Sequence, residues 1–219
     1  MATYKFSELT LDLLKKIVRL KDKPTASERW EQMQAEITEE EHEQIRFLTA
    51  RIQNKHLVRM NEATIWARAI YPLLMLAEKP SVQVWAEAPM SAQYPNFSLE
   101  GVVDGVIARE MLGEIAAPYL IVVEAKKGIE AKDPVYQMLG EMLAAAWMNY
   151  QNNHAPQQEI YGCYTVSDTW TFAAGTVAEF EAEHPLFTVE LSRQYEERIE
   201  AEAIVRILKS IVAKFTNNP

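Results

Sequence analysis

The chain has 219 residues, 48% of them hydrophobic and 24% charged, an ordinary globular composition that excludes a disordered or collagen-like polymer. Its 22 lysines and arginines stand against 31 acids, a formal net charge of −9, so no global positive field draws it to nucleic acid or an anionic membrane. Any polyanion must be held by a local patch.

The acidity is uneven. Through residue 60 there are 11 basic and 10 acidic residues, against 11 and 21 in the remainder. Met1 to Leu14 interleave Lys5, Glu8 and Asp12 with apolar positions, unlike a signal peptide, and no run reaches the roughly 18 apolar residues of a membrane span. The single cysteine, Cys163, excludes a disulfide within the chain and a cysteine-based zinc site. A cytoplasmic protein with no membrane partner is expected. The histidines, His42, His56, His154 and His184, lack metal-ligand spacing.

Leu9, Leu13, Leu14, Ile17 and Leu20 recur at helical spacing and predict a first helix. A turn around Lys23-Pro24-Thr25 leads to a second through Trp30, Met33 and Ile37. Thr38-Glu39-Glu40-Glu41 reads as a capping box opening a third, with Ile45, Leu48 and Ile52 on its face. Residues 1–58 are therefore expected to form an N-terminal helical extension, and 59–219 the core.

Asn61 suits the cap of a helix whose apolar face carries Ile65, Trp66, Ala69, Ile70, Leu73 and Leu74, with Glu62 on that face and Pro72 predicted to kink it. Three strands are predicted at Val82–Met90, Leu99–Ala108 and Tyr119–Ala125. The third is apolar on both faces, as a central strand covered by helices must be. A helix follows Asp133-Pro134 through Tyr136, Leu139, Leu143 and Trp147. Strands come next at Ile160–Val166 and Trp170–Ala174, around a Ser-Asp-Thr turn, and at Phe187–Leu191; an amphipathic helix, Glu200–Phe215, closes the chain. The fold class expected is α/β, a mixed sheet flanked by helices.

Residues two apart on a strand share a face, so Glu124 and Lys126 project together, roughly 6.6 Å apart along the strand. A hairpin centred near residue 114, where Gly113 suits a reversal, sets Asp104 opposite Glu124. Carboxylates about 5 Å apart on adjacent strands repel unless a cation lies between them, and an all-oxygen site suits magnesium or manganese. A lysine beside such a pair completes what metal-assisted phosphodiester hydrolysis needs: an activated water and positive charge for the developing phosphorane.

Val103-Asp104-Gly105, the strand end Val123-Glu124-Ala125-Lys126-Lys127-Gly128 and the helix carrying Tyr136-Gln137-Met138-Leu139 together resemble the PD-(D/E)XK superfamily of restriction-endonuclease-like nucleases. Within it they look most like the nuclease domains at the start of type I restriction subunits. The resemblance covers about residues 60 to 175, including the turn before a tryptophan at Ser167-Asp168-Thr169-Trp170. It departs in Val103, where the family has proline, and in the hairpin turn, which lacks the usual glycine. It implies a restriction-endonuclease-like fold in which Asp104 and Glu124 hold the metal, Lys126 is the catalytic lysine, Gln137 lies near the site and Glu62 matches an acid on the preceding helix.

Plainer roles stand beside these. Glu-x-Lys recurs at Glu130-Ala131-Lys132, there in a loop context; Glu124 and Lys126 could be a solvent-facing pair, Asp104 a turn residue with Gly105, Glu62 a first-turn helix acid and Gln137 a surface residue. The expectation is a magnesium- or manganese-dependent DNA endonuclease, a homodimer or bound to a protein partner through its N-terminal helices. Arg59, Arg68, Arg109, Lys127 and Lys132 are the candidate phosphate contacts. The alternative is a non-catalytic module of the same fold that binds or assembles with other proteins.

Overall fold

The computed structural model describes residues 1–24, 27–126, 128 and 133–216. Strand β1 (Ala2–Lys5) passes through a 3-10 turn into α1 (Leu11–Ile17), whose cap Thr10 accepts the Leu13 N–H at 3.3 Å. Strand β2 (Arg19–Lys23) and the short α2 (Ser27–Glu31) follow. Helix α3 (Glu39–Ile52) opens on the expected capping box: Thr38 Oγ1 accepts from Glu41 N at 3.2 Å, and the Glu41 carboxylate accepts from Thr38 N at 2.7 Å.

Asn61 caps α4 (Glu62–Ile65), accepting from Thr64 N at 2.9 Å. That helix widens into a π-turn, Trp66–Ile70, and tightens again as α5 (Tyr71–Met75). The kink predicted at Pro72 is replaced by this π-turn. Pro72 lies in the first turn of α5, where the N–H that proline lacks is dispensable.

Three long strands come next, β3 (Val82–Gln93), β4 (Phe97–Met111) and β5 (Glu114–Lys126). Helix α6 (Pro134–Asn153) is capped by Asp133, which accepts the Val135 N–H at 3.1 Å. Strands β6 (Gln157–Val166), β7 (Thr169–Ala178) and β8 (Leu186–Glu196) lead to α7 (Glu197–Thr216), which bends at Glu200.

Among the described residues, eight strands form one mixed sheet in the order β1-β4-β5-β6-β7-β8-β2, with β3 also paired to β4. The β3–β4, β4–β5, β6–β7 and β7–β8 pairs are antiparallel, whereas β5 and β6 run parallel and are joined across one face by α6. Successive residues of β5 feed opposite cores. Ile121 and Val123 pack with Ile65, Leu73, Ile204 and Leu208 of α4, α5 and α7, while Val122 packs with Leu14, Met142 and Leu143 of α1 and α6. Helices thus cover both faces, as the two-sided apolar pattern of β5 requires.

The extension expected to be helical through residue 58 is helical only in part. Its first residues supply β1, parallel to β4, and β2, parallel to β8. Leu20 continues the helical spacing of α1, yet its backbone pairs with Phe187 in the sheet; ladder hydrogen bonds to β8 outweigh a short local periodicity. Met33 and Ile37 are buried as expected, but the chain beyond α2 is not helical there.

The β4–β5 register runs Gly105 opposite Val123, Val106 opposite Val122 and Ile107 opposite Ile121, so Asp104 and Glu124 are the next pair along, as expected. The turn itself sits at Leu112-Gly113, both with positive φ (57° and 82°), so the expected Gly113 makes the reversal, just before residue 114. Two register shifts, on either side of Ala108, absorb the difference.

Candidate active site

Glu124 and Lys126 lie at the carboxyl end of β5, where the chain leaves the sheet for its crossover helix, the place where open α/β sheets bind ligands. Glu124 is fully buried. One of its oxygens pairs with the Lys126 ammonium; the other accepts from Gln137 Nε2 at 2.7 Å. Gln137 stands in the first turn of α6, and its amide also donates to Glu141 Oε1 at 3.2 Å, one turn further on. The Lys126 ammonium reaches a second carboxylate, Glu62 Oε1, at 3.4 Å. Asp104, half-buried on β4, accepts the Ala125 backbone N–H at 2.8 Å and so ties the two strands together at the site. Ser167 N–H donates to Lys126 O at 2.7 Å and holds the strand end from the β6–β7 turn, where Ser167 takes a positive φ of 59° in place of the expected glycine.

The electrostatics follow from this crowding. Burial, and then the nearby Asp104 charge, push the Glu124 carboxyl up to about 7, with Lys126 opposing the rise. Asp104 is raised by burial against the opposing pull of the Ala125 N–H and Lys126, with Glu62 and Glu87 adding to the rise. Burial pulls the Lys126 ammonium down, but contacts with Glu124, Glu62 and Asp104 outweigh it and hold the amine charged. Glu141, completely buried, is held well above the ordinary carboxylate range by burial and by the neighbouring Glu124.

Beside these groups opens a cleft of about 360 Å³ lined by Glu62, Ala63, Trp66, Glu87, Asp104 and Ala125. Asp104, Glu124, Lys126, Gln137 and Glu62, proposed from sequence, are thus all brought together. Among the described residues, however, no three histidine, cysteine or acidic side chains are grouped to hold a metal ion as they stand. Asp104 and Glu62 face the cleft, whereas Glu124 lies buried with its oxygens engaged by Lys126 and Gln137.

Three contributors escaped sequence reasoning. Glu141 carried a signal: it is an acid on the otherwise apolar face of α6, among Met138, Met142 and Ala145. Glu87 carried none. It falls between Ala86, paired with Gly105, and Ala88, paired with Val103, which sets it across from Asp104, and its backbone is left-handed with φ 50°. Trp66 read as core, yet it lines the cleft.

Of the five proposed phosphate contacts, three lie among the described residues. Arg59 and Arg68 are exposed on the segments entering and forming the α4–α5 helix, without an acidic partner among the described residues. Arg109 lies five residues along β4 from Asp104, about 16 Å away. Lys127 and Lys132, with the second Glu-x-Lys triplet, lie outside the described residues.

Among the described residues, no helix is long and apolar enough to cross a membrane. Compared with protein-family models and with curated proteins, the chain matches none.

Proposed function

We propose that this protein is a metal-dependent endonuclease of restriction-endonuclease-like fold, hydrolysing phosphodiester bonds in DNA. The observation that carries the reading is the convergence of Asp104, Glu124 and Lys126 from two adjacent central strands at the rim of an acidic cleft. Structural acids on a strand are rarely buried beside one another, since each raises the cost of ionising the other. A site that gathers Asp104, Glu124 and Glu62 around one lysine has a use for concentrated negative charge.

The donor set is oxygen only, which fits a hard divalent ion, magnesium or manganese. Asp104, Glu62 and Glu124 would hold it; such an ion, when bound, supplies an activated water and neutralises charge on the phosphate. Lys126 places a fixed positive charge at the cleft edge, where charge accumulates on the phosphate oxygens. Gln137 fixes the orientation of the Glu124 carboxylate, and Glu141 supports it from the protein side. Because the metal-free Glu124 carboxyl rises to about 7, an arriving ion must displace its proton, and manganese affinity, read from the shift in melting temperature, should rise with pH through that range.

Plasmid nicking in magnesium or manganese tests the proposal. The wild type should cut, and Lys126→Ala should fall by about 10²-fold while melting cooperatively. Manganese should raise the melting temperature of the wild type and not of Asp104→Asn. A wild type that neither cuts DNA nor responds to either ion would leave the non-catalytic binding module as the reading of this fold.

A further inference from the structure

Trp66 is the aromatic wall of the cleft, partly exposed, one helical turn after Glu62 and facing the same space as Asp104. Its six-membered ring is set against Gly105, the residue after Asp104. A Cβ at Gly105 would lie 2.3 Å from Trp66 Cη2 and 2.9 Å from Cζ2, so the indole occupies space that any other residue would claim. Tyr71 packs against it at a centroid distance of 5.9 Å, tilted by 49°. The ring is therefore fixed, and it stands within one residue of a carboxylate assigned to the reacting centre.

The surroundings decide what such a ring is for. The cleft walls carry Glu62, Glu87 and Asp104, and the chain as a whole is at −9. A duplex presents one negative charge per roughly 1.7 Å of its axis and needs a track of lysine and arginine to be held; among the described residues, the cleft-forming helix and the 3-10 turn just before it expose two cations, Arg59 and Arg68. A flexible strand can bring one phosphate to the site and turn the rest away. Its affinity then has to come from a contact indifferent to charge, and stacking of a base on an aromatic ring changes affinity about 5- to 100-fold. Bases within a duplex have both faces covered and must be unstacked before they can reach Trp66. At about 360 Å³ the cleft is at the small end of ligand-sized cavities, room for a single nucleotide.

We infer that Trp66 stacks an unpaired base beside the scissile phosphate, so that the substrate is single-stranded nucleic acid or a frayed end rather than continuous duplex. This rests on the nuclease reading and adds its substrate class.

The test compares a fluorescein-labelled oligo(dT) strand with a blunt duplex of equal length, by anisotropy in EDTA and by cleavage in manganese. The wild type should bind and cut the strand at least about tenfold better than the duplex. Trp66→Ala should lose that preference and Trp66→Phe should keep most of it. Oligo(dT) should quench indole emission in the wild type, and that quench should be missing from Trp66→Phe, a readout that stands even where the alanine variant folds poorly. Equal handling of strand and duplex by the wild type, or an unchanged preference in Trp66→Ala, would overturn the inference. If manganese-dependent cutting that needs Lys126 persists in that case, the nuclease reading survives alone; if neither nucleic acid is bound or cut, both fall.

Discussion

Gly105 shows how tightly single residues are constrained around the site. Adding one methyl there drives it into the Trp66 ring, so Gly105→Ala should destabilise the protein by about 1–3 kcal/mol in urea unfolding. The same change in a Trp66→Ala background should cost far less, because the clash has been removed. Glu197 is a second sensitive residue, away from the cleft. It is buried, one oxygen accepts from Trp170 Nε1 at 2.9 Å, and burial lifts its carboxyl to about 7. A carboxyl raised on folding binds its proton more tightly in the native state, so its stabilisation is complete below about 4.5 and is lost as pH climbs toward 7. Glu197→Gln should remove up to about 3 kcal/mol of that pH dependence, measured as a flatter stability profile over the window. The candidate residues most legible in the sequence were those whose partners follow from period two along a strand or from helical spacing. Asp104, Glu124 and Lys126 are of this kind, whereas Gln137 was placed only through the resemblance to the nuclease family. Glu87 was hidden because it reaches the cleft through the β3–β4 register, which leaves no local signature, and Trp66 because its place on the apolar face of its helix reads as core.

Elements were readable in proportion to how far their stability is local. The α3 capping box was visible as four letters and is made in full; Thr38→Ala should cost about 1 kcal/mol, seen as a lower urea midpoint with unchanged slope. The β4–β5 pairing was legible near the site because a reversal beside Gly113 sets Asp104 opposite Glu124, the register that the Gly105–Val123 and Val106–Val122 pairs carry. The loop end was not, since the shifts on either side of Ala108 move the turn without disturbing the buried half. Leu20 and Ile37 misled for the opposite reason. Both anchor apolar side chains where a helix would, but the backbone around Leu20 is claimed by β8, and at Ile37 burial is reached without a helix.

At the scale of the whole molecule, the first two dozen residues are built into the sheet and its lower core. Phe6, Leu9, Leu14, Ile17 and Val18 are buried, and Leu9 presses against Gly140 of α6, where a Cβ would meet it at 2.1 Å. Removing residues 1–24 should therefore abolish cooperative thermal unfolding and leave an aggregating product on size exclusion, rather than a trimmed and stable core.

The two strands contributed by this leading segment have partners far downstream: Ala2 aligns with Phe97, and Arg19 with Leu186. During synthesis β1 must wait for residues 97–100, and β2 for residues 186–190, before either can pair. Pairing of β2 with β8 in particular is a strongly non-local event that carries a large loop-closure entropy. Until then the nascent chain exposes open strand edges, which makes it a natural client for chaperones.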